Sequence, residues 1–131
     1  MVFQSDTYSV LLVSASEKLN TSMTALLPAT DYWPVTVASS LSLARRLILE
    51  TAFDLILVNS PLPDGSGAEF CADVCARSDA GVLLMVHSEL YEELYYKLLP
   101  GGVVTLPKPM NREAFTLTLR ALCALRERLR A

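Results

Sequence analysis

Asn59 closes a hydrophobic run, Asp54-Leu-Ile-Leu-Val-Asn59, and opens a loop, Ser60-Pro-Leu-Pro-Asp-Gly-Ser-Gly67, that is rich in proline and glycine. A carboxylate at such a strand end would be placed for catalysis or for accepting a phosphoryl group. An amide is not an adequate nucleophile for either task. Lys108, in Thr105-Leu-Pro-Lys-Pro109, is a second candidate, and its charge demands a partner. An ammonium near a strand end is costly if buried without hydrogen bonds. Asp64 sits in an Asp-Gly turn, and Asp54 lies at the opposite end of its strand from Asn59. His87 is the single histidine and has no acid beside it, so it reads as structural or solvated. Cys71 and Cys75 are spaced i, i+4, but two thiols without a nearby histidine do not make a zinc site. Core packing suits them better. The loop Leu62 to Gly67 lacks the spacing of a phosphate-cradling glycine motif. No nucleophile and base are paired, so no enzymatic activity, metal or cofactor is expected.

Five apolar runs must position these residues. They are Tyr8 to Val13, Trp33 to Ala38, Asp54 to Asn59, Gly81 to His87 and Gly102 to Leu106. The first, third and fourth are almost continuously apolar, as in parallel strands covered on both faces. Pro34 puts the second at an edge or makes it start late. Helical patterns alternate with them: Glu17 to Leu27, Leu41 to Leu49, Ser66 to about Arg77, Glu89 to Leu99, and a last one from a cap at Asn111. Ser14-Ala15-Ser16-Glu17 and Ser66-Gly67-Ala68-Glu69 each read as a capping box, and Ser39 or Ser40 can cap the second helix. The expected fold is α/β and flavodoxin-like, a (βα)5 doubly wound sheet of five parallel strands in the order 2-1-3-4-5. In such sheets ligands sit beyond the carboxyl ends of the strands, which is where Ser14, Asn59, Ser88 and Lys108 fall.

The chain has 131 residues, enough for one domain spanning residues 1–131, and 52% of them are hydrophobic. No apolar run approaches the ~20 residues of a membrane span. The N-terminus has no basic region of a secretory signal. Three cysteines at unpromising spacing suggest reduced thiols and a cytoplasmic location. A net charge of −3 argues against direct nucleic acid contact by this domain.

With these elements in place, the sequence resembles the receiver domain of two-component response regulators (CheY-like) over nearly its whole length. Asp54-Leu-Ile-Leu-Val-Asn59 with Pro63 and Gly67 is similar to that family's strand, acceptor aspartate and following loop. Thr105-Leu-Pro-Lys108-Pro109 is similar to its lysine followed by a cis-linked proline. Val10-Leu-Leu-Val-Ser-Ala-Ser-Glu-Lys-Leu19 fits the first strand, and Gly81-Val-Leu-Leu-Met-Val-His-Ser88 the fourth. The resemblance also shows what is missing. The family's acidic pair falls on Ser14 and Ala15, its phosphoacceptor on Asn59, its switch hydroxyl on Val86 and its switch aromatic on Thr105. Lys108 and Pro109 survive. Family chemistry makes an acyl phosphate with the help of a divalent cation, usually held through carboxylates and water. The matching positions here supply none. The resemblance thus implies a pseudo-receiver that acts without phosphorylation. The alternative is a small-molecule or anion sensor, with Ser14, Asn59, Ser88 and Lys108 lining its pocket.

Without chemistry, the function is expected in contacts. Leu90, Leu94 and Leu98 follow one line of the fourth helix, and Tyr91 and Tyr95 another; one line must face the sheet. In the last helix, Phe115, Thr118, Leu122, Leu125 and Leu129 follow 3-4 spacing, like coiled-coil positions. Tyr91, Tyr95, Leu122, Leu125 and Leu129 are the interface candidates. A homodimer through the fourth helix, fifth strand and last helix is expected. Residues from Leu125 extend beyond what a single domain needs. The helix at about 111–131 is therefore expected to continue into a linker or output domain. Val10 to Leu19, Leu106-Pro-Lys-Pro-Met-Asn-Arg-Glu-Ala-Phe115 and Leu125-Arg-Glu-Arg-Leu-Arg-Ala131 together resemble antitermination regulators of the ANTAR type. That narrower resemblance implies a C-terminal RNA-binding output domain.

Overall fold

The computed structural model describes residues 7–130, with the side chains of Leu129 and Arg130 left aside. Five strands, β1 (Tyr8–Val13), β2 (Tyr32–Ala38), β3 (Leu55–Asn59), β4 (Gly81–His87) and β5 (Val104–Lys108), alternate with α1 (Glu17–Thr24), α2 (Leu41–Glu50), α3 (Ala68–Arg77), α4 (Ser88–Leu98) and α5 (Arg112–Arg130). All pairs are parallel and the sheet order is β2-β1-β3-β4-β5, as the sequence pattern requires. Strand residues alternate between two cores. Leu11, Val13, Ile56, Val58, Val82, Leu84 and Val86 face the layer of α2, α3 and α4. Val10, Leu12, Leu55, Leu57, Leu83 and Met85 face α1 and α5. Burial on both faces is why β1, β3 and β4 read as continuous apolar runs.

Several boundaries differ from the sequence expectation, each for a local reason. The helix expected to Leu27 ends at Thr24, although Leu27 stays buried; Pro28 disfavours helical backbone just before it. The cap of α1 is Ser16, whose Oγ accepts from Leu19 N at 3.2 Å; Ser14 Oγ instead accepts from Ser16 N. The Ser66 capping box does not form. Gly67 takes the N-cap at φ 85°, with no side-chain cap bond. A Cβ there would stand 2.9 Å from Val58 Cγ1, so close packing on β3 selects the glycine. Asp64 does more than turn the chain. Its two carboxylate oxygens accept from Leu41 N and Ser42 N, both at 2.9 Å, and join Ser40 in capping α2. These bonds hold its carboxyl below the usual range. β5 starts two residues later than expected and runs through Pro107, which an edge strand tolerates. Pro34 likewise lies in the other edge strand, β2.

Candidate functional site

Parallel strands bring β1, β3 and β5 to one end of the sheet, and there three predicted residues join in a chain of hydrogen bonds. Asn59, 6% exposed, donates from Nδ2 to Ser14 Oγ at 3.2 Å. Its Oδ1 accepts from Lys108 Nζ at 2.9 Å. Lys108 Nζ also donates to the Ser60 carbonyl. Both ends of the amide are therefore engaged, and its orientation is set by a donor on one side and an acceptor on the other. Ser14 is fully buried, and its backbone continues β1 through Ser14 N to the Ala38 carbonyl. Burial lowers the Lys108 pKa from its ordinary value by stripping hydration from the ammonium.

The remaining predicted positions stay apart from this chain. Ala15 is exposed. Val86 is buried in the core beneath α4. Thr105 is also fully buried, and its Oγ1 has no partner among the described residues. Ser88 is the exposed first residue of α4. The Lys108–Pro109 peptide is cis, as expected. Asn20 was not singled out by spacing, yet its Nδ2 donates to the Ser14 carbonyl at 3.3 Å and its Oδ1 is buried without a partner. A polar residue one turn beyond a cap, on the face turned to the sheet, was the available signal.

A divalent cation does not suit these donors. Ser14 offers a hydroxyl, Ala15 a methyl and Asn59 an amide oxygen already held by an ammonium, whereas Mg²⁺ seeks carboxylates. Among the described residues no three of His, Cys, Asp and Glu gather where they could hold a metal.

The interface candidates separate under the structure. Tyr91 and Leu94 pack against the core beside buried Leu98, so the inward line of α4 is Tyr91-Leu94-Leu98 and not the leucine row. Leu90 is exposed instead. Tyr95 is half-buried, its ring 5.7 Å from that of Tyr91. Leu122 is buried in the core and drops out of the interface set; Leu125 is exposed. Leu129 lies outside the residues whose side chains are described. The helix does not leave the domain at Leu125. Arg126 donates to Asp54 Oδ1 at 2.8 Å and to the Asp79 carbonyl, while Tyr8 donates to Glu127. Asp54 thus has a structural partner that its position at the far strand end did not reveal.

A five-stranded parallel sheet in this order, with a lysine closing β5, a cis-proline after it and a loop glycine after β3, is the receiver-domain fold of response regulators. A signal receiver domain of an HD-domain protein from Pseudomonas fluorescens Pf-5 superposes with a TM-score of 0.82 at 20% identity, covering 99% of this chain and 96% of that one. A response regulator receiver domain from Clostridium thermocellum gives 0.80 at 15% identity, over 93% and 98%. The beryllofluoride-activated NtrC4 receiver domain dimer gives 0.78 at 27% identity, over 90% and 98%. No family model and no curated protein sequence matches the chain. Among the described residues no helix is long and apolar enough to cross a membrane.

Proposed function

We propose that this chain is a pseudo-receiver, a signalling module that works through protein contacts and not through an aspartyl phosphate. It serves bacterial transcriptional control, in the antitermination setting its sequence resembles, and passes on a state by binding a partner or a second copy through the side formed by α4, β5 and α5. The observation that carries the reading is the Asn59 amide, which takes the acceptor's place and is bound on both sides by Ser14 and Lys108. An RNA-binding output domain would act downstream of it. The role is not catalytic. Incubation with acetyl phosphate and Mg²⁺ is expected to add no phosphoryl mass to the intact protein. A stoichiometric adduct on any residue sinks the reading.

A second reading, an anion sensor at the same strand ends, draws on the Lys108 ammonium, which donates to two neutral acceptors, Asn59 Oδ1 and the Ser60 carbonyl. The closed Ser14–Asn59–Lys108 chain ranks it second. Stabilisation by inorganic phosphate that Lys108→Met abolishes would reverse that order.

A further inference from the structure

The end of the sheet opposite Asn59 holds a cavity of about 590 Å³ between α2 and α3. Its inner wall is apolar and includes Phe53, Ile56 and Val74, all buried. A volume of this size suits a small organic ligand. Arg45 crosses from α2 to Asp73 of α3 at 3.3 Å and lies over the Phe70 ring, so a side chain braces the two helices beside the opening. A third helix, α5, also reaches the cavity. Its Arg126 side chain, 7% exposed, lines the space and donates to Asp54 and to the Asp79 carbonyl. The buried Arg126 Nε has no acceptor among the described residues. Arg77 and Asp79 are exposed at the rim. Neither is in an ion pair among the described residues.

We propose that this cavity binds a free α-amino acid with a bulky apolar side chain. The charges on its walls select the class. Arg45 is offset by Asp73 and Arg126 by Asp54, which leaves one guanidinium, Arg77, and one carboxylate, Asp79, to be matched. Arg77 offers a planar fork of donors to a carboxylate. Asp79 offers an acceptor to an ammonium. α2 and α3 also end here, at Glu50 and Arg77, and the last carbonyls of a helix favour a cation. A simple organic anion would meet Arg77 but also face Asp79 and two helix ends. A simple amine would meet the converse conflict at Arg77. An amino acid carries both charges on the carbon that bears its side chain. The side chain can then enter among Phe53, Ile56 and Val74 while both charges stay at the rim, and burial of apolar surface drives the binding. The site lies apart from the Ser14–Asn59–Lys108 chain. It would give a module that signals without phosphorylation an input of its own, and its binding is read independently of any reaction with acetyl phosphate.

The test titrates the 131-residue chain with phenylalanine, tryptophan and leucine, and reads thermal melting and methyl NMR shifts. At least one of the three should raise the melting temperature and move the methyl signals of Ile48, Ile56 and Val74, leaving Asn59 and Lys108 unmoved. Phenylpropionate lacks the ammonium and phenethylamine lacks the carboxylate, so each should bind about tenfold or more weakly than phenylalanine, the usual effect of losing a charged hydrogen bond. Arg77→Gln and Asp79→Asn lie at exposed positions and should leave the ligand-free melt unchanged. Each should weaken the amino acid about tenfold, Arg77→Gln without weakening phenethylamine and Asp79→Asn without weakening phenylpropionate. The proposal is overturned if none of the three amino acids shifts the melt or the spectrum up to about 10 mM, tenfold above a millimolar Kd. It is equally overturned if phenylpropionate or phenethylamine binds as tightly as phenylalanine, if both variants bind as the native chain does, or if the shifts gather at Asn59.

Discussion

At the residue scale, Asn59 and Lys108 are a hydrogen-bonded pair, Nζ donating to Oδ1 at 2.9 Å. Asn59→Leu removes the acceptor at 2.9 Å and leaves a half-buried ammonium with only the Ser60 carbonyl. The expected loss is about 1–3 kcal/mol in urea unfolding, the usual cost of an unsatisfied polar group. Asn59→Leu with Lys108→Met should lose less than the sum of the two single changes, since the apolar pair leaves no charge stranded. Additive effects would show that the bond carries no coupling. The thiols give a second handle. Burial pushes Cys123 from the ordinary 9.0 up to about 11, and moves Cys71 the same way. The unfolded chain therefore loses these protons first. The stability they contribute is complete below pH 9 and is lost as pH rises towards 11. Lys108, lowered by burial, works in the opposite sense. The melting temperature should fall from pH 9 upwards, and Cys71→Ala with Cys123→Ala should flatten that slope. An unchanged slope in the double variant would refute the assignment.

Among the elements, α5 depends on its polar clasp. The Arg126 side chain is 7% exposed and that of Asp54 20%, and their charges meet at 2.8 Å. Asp54→Asn leaves the guanidinium buried without its counter-ion, and should cost about 3 kcal/mol in denaturant unfolding. A change below about 0.5 kcal/mol would show the helix held by Phe115 and Leu119 alone. This pair also shows where the sequence was legible. Periodicity found all five strands and all five helices, because burial on two faces or on one leaves a direct mark on the order of residues. Caps made by neighbours were legible as well, as at Ser40 and Asn111, whose side chains accept from Leu43 N and Ala114 N. Partners distant in sequence left no such mark. Asp54 finds Arg126 and Asp64 caps α2 only because the sheet brings them together. The spacing on α5 did read as a heptad, but spacing alone could not say which of two overlapping rows faces the core. Leu122 lies on the buried row with Phe115, Leu119 and Arg126, and Leu125 lies on the exposed side.

For the whole molecule, the Ser14–Asn59–Lys108 chain ties the ends of β1, β3 and β5 across the sheet. In a domain that senses through metal and phosphoryl binding, those strand ends are where ligand energy enters the fold. Here hydrogen bonds between the side chains already engage Asn59 on both sides, and a ligand would have to break them to bind. Mg²⁺ should therefore leave the melting temperature of the native chain unchanged at any excess. Ser14→Asp, Ala15→Asp and Asn59→Asp together should reverse this. Three carboxylates at one strand end repel each other, so the metal-free variant should melt below the native protein. Mg²⁺ should then restore stability by about 2.7 kcal/mol at a hundredfold excess over Kd, a shift of several degrees. Acetyl phosphate with Mg²⁺ should phosphorylate only the triple variant, because Asn59→Asp alone still lacks the acidic pair. Stabilisation of the native chain by Mg²⁺ would mean that other oxygens complete a site, and the structural account of Asn59 would fail with it.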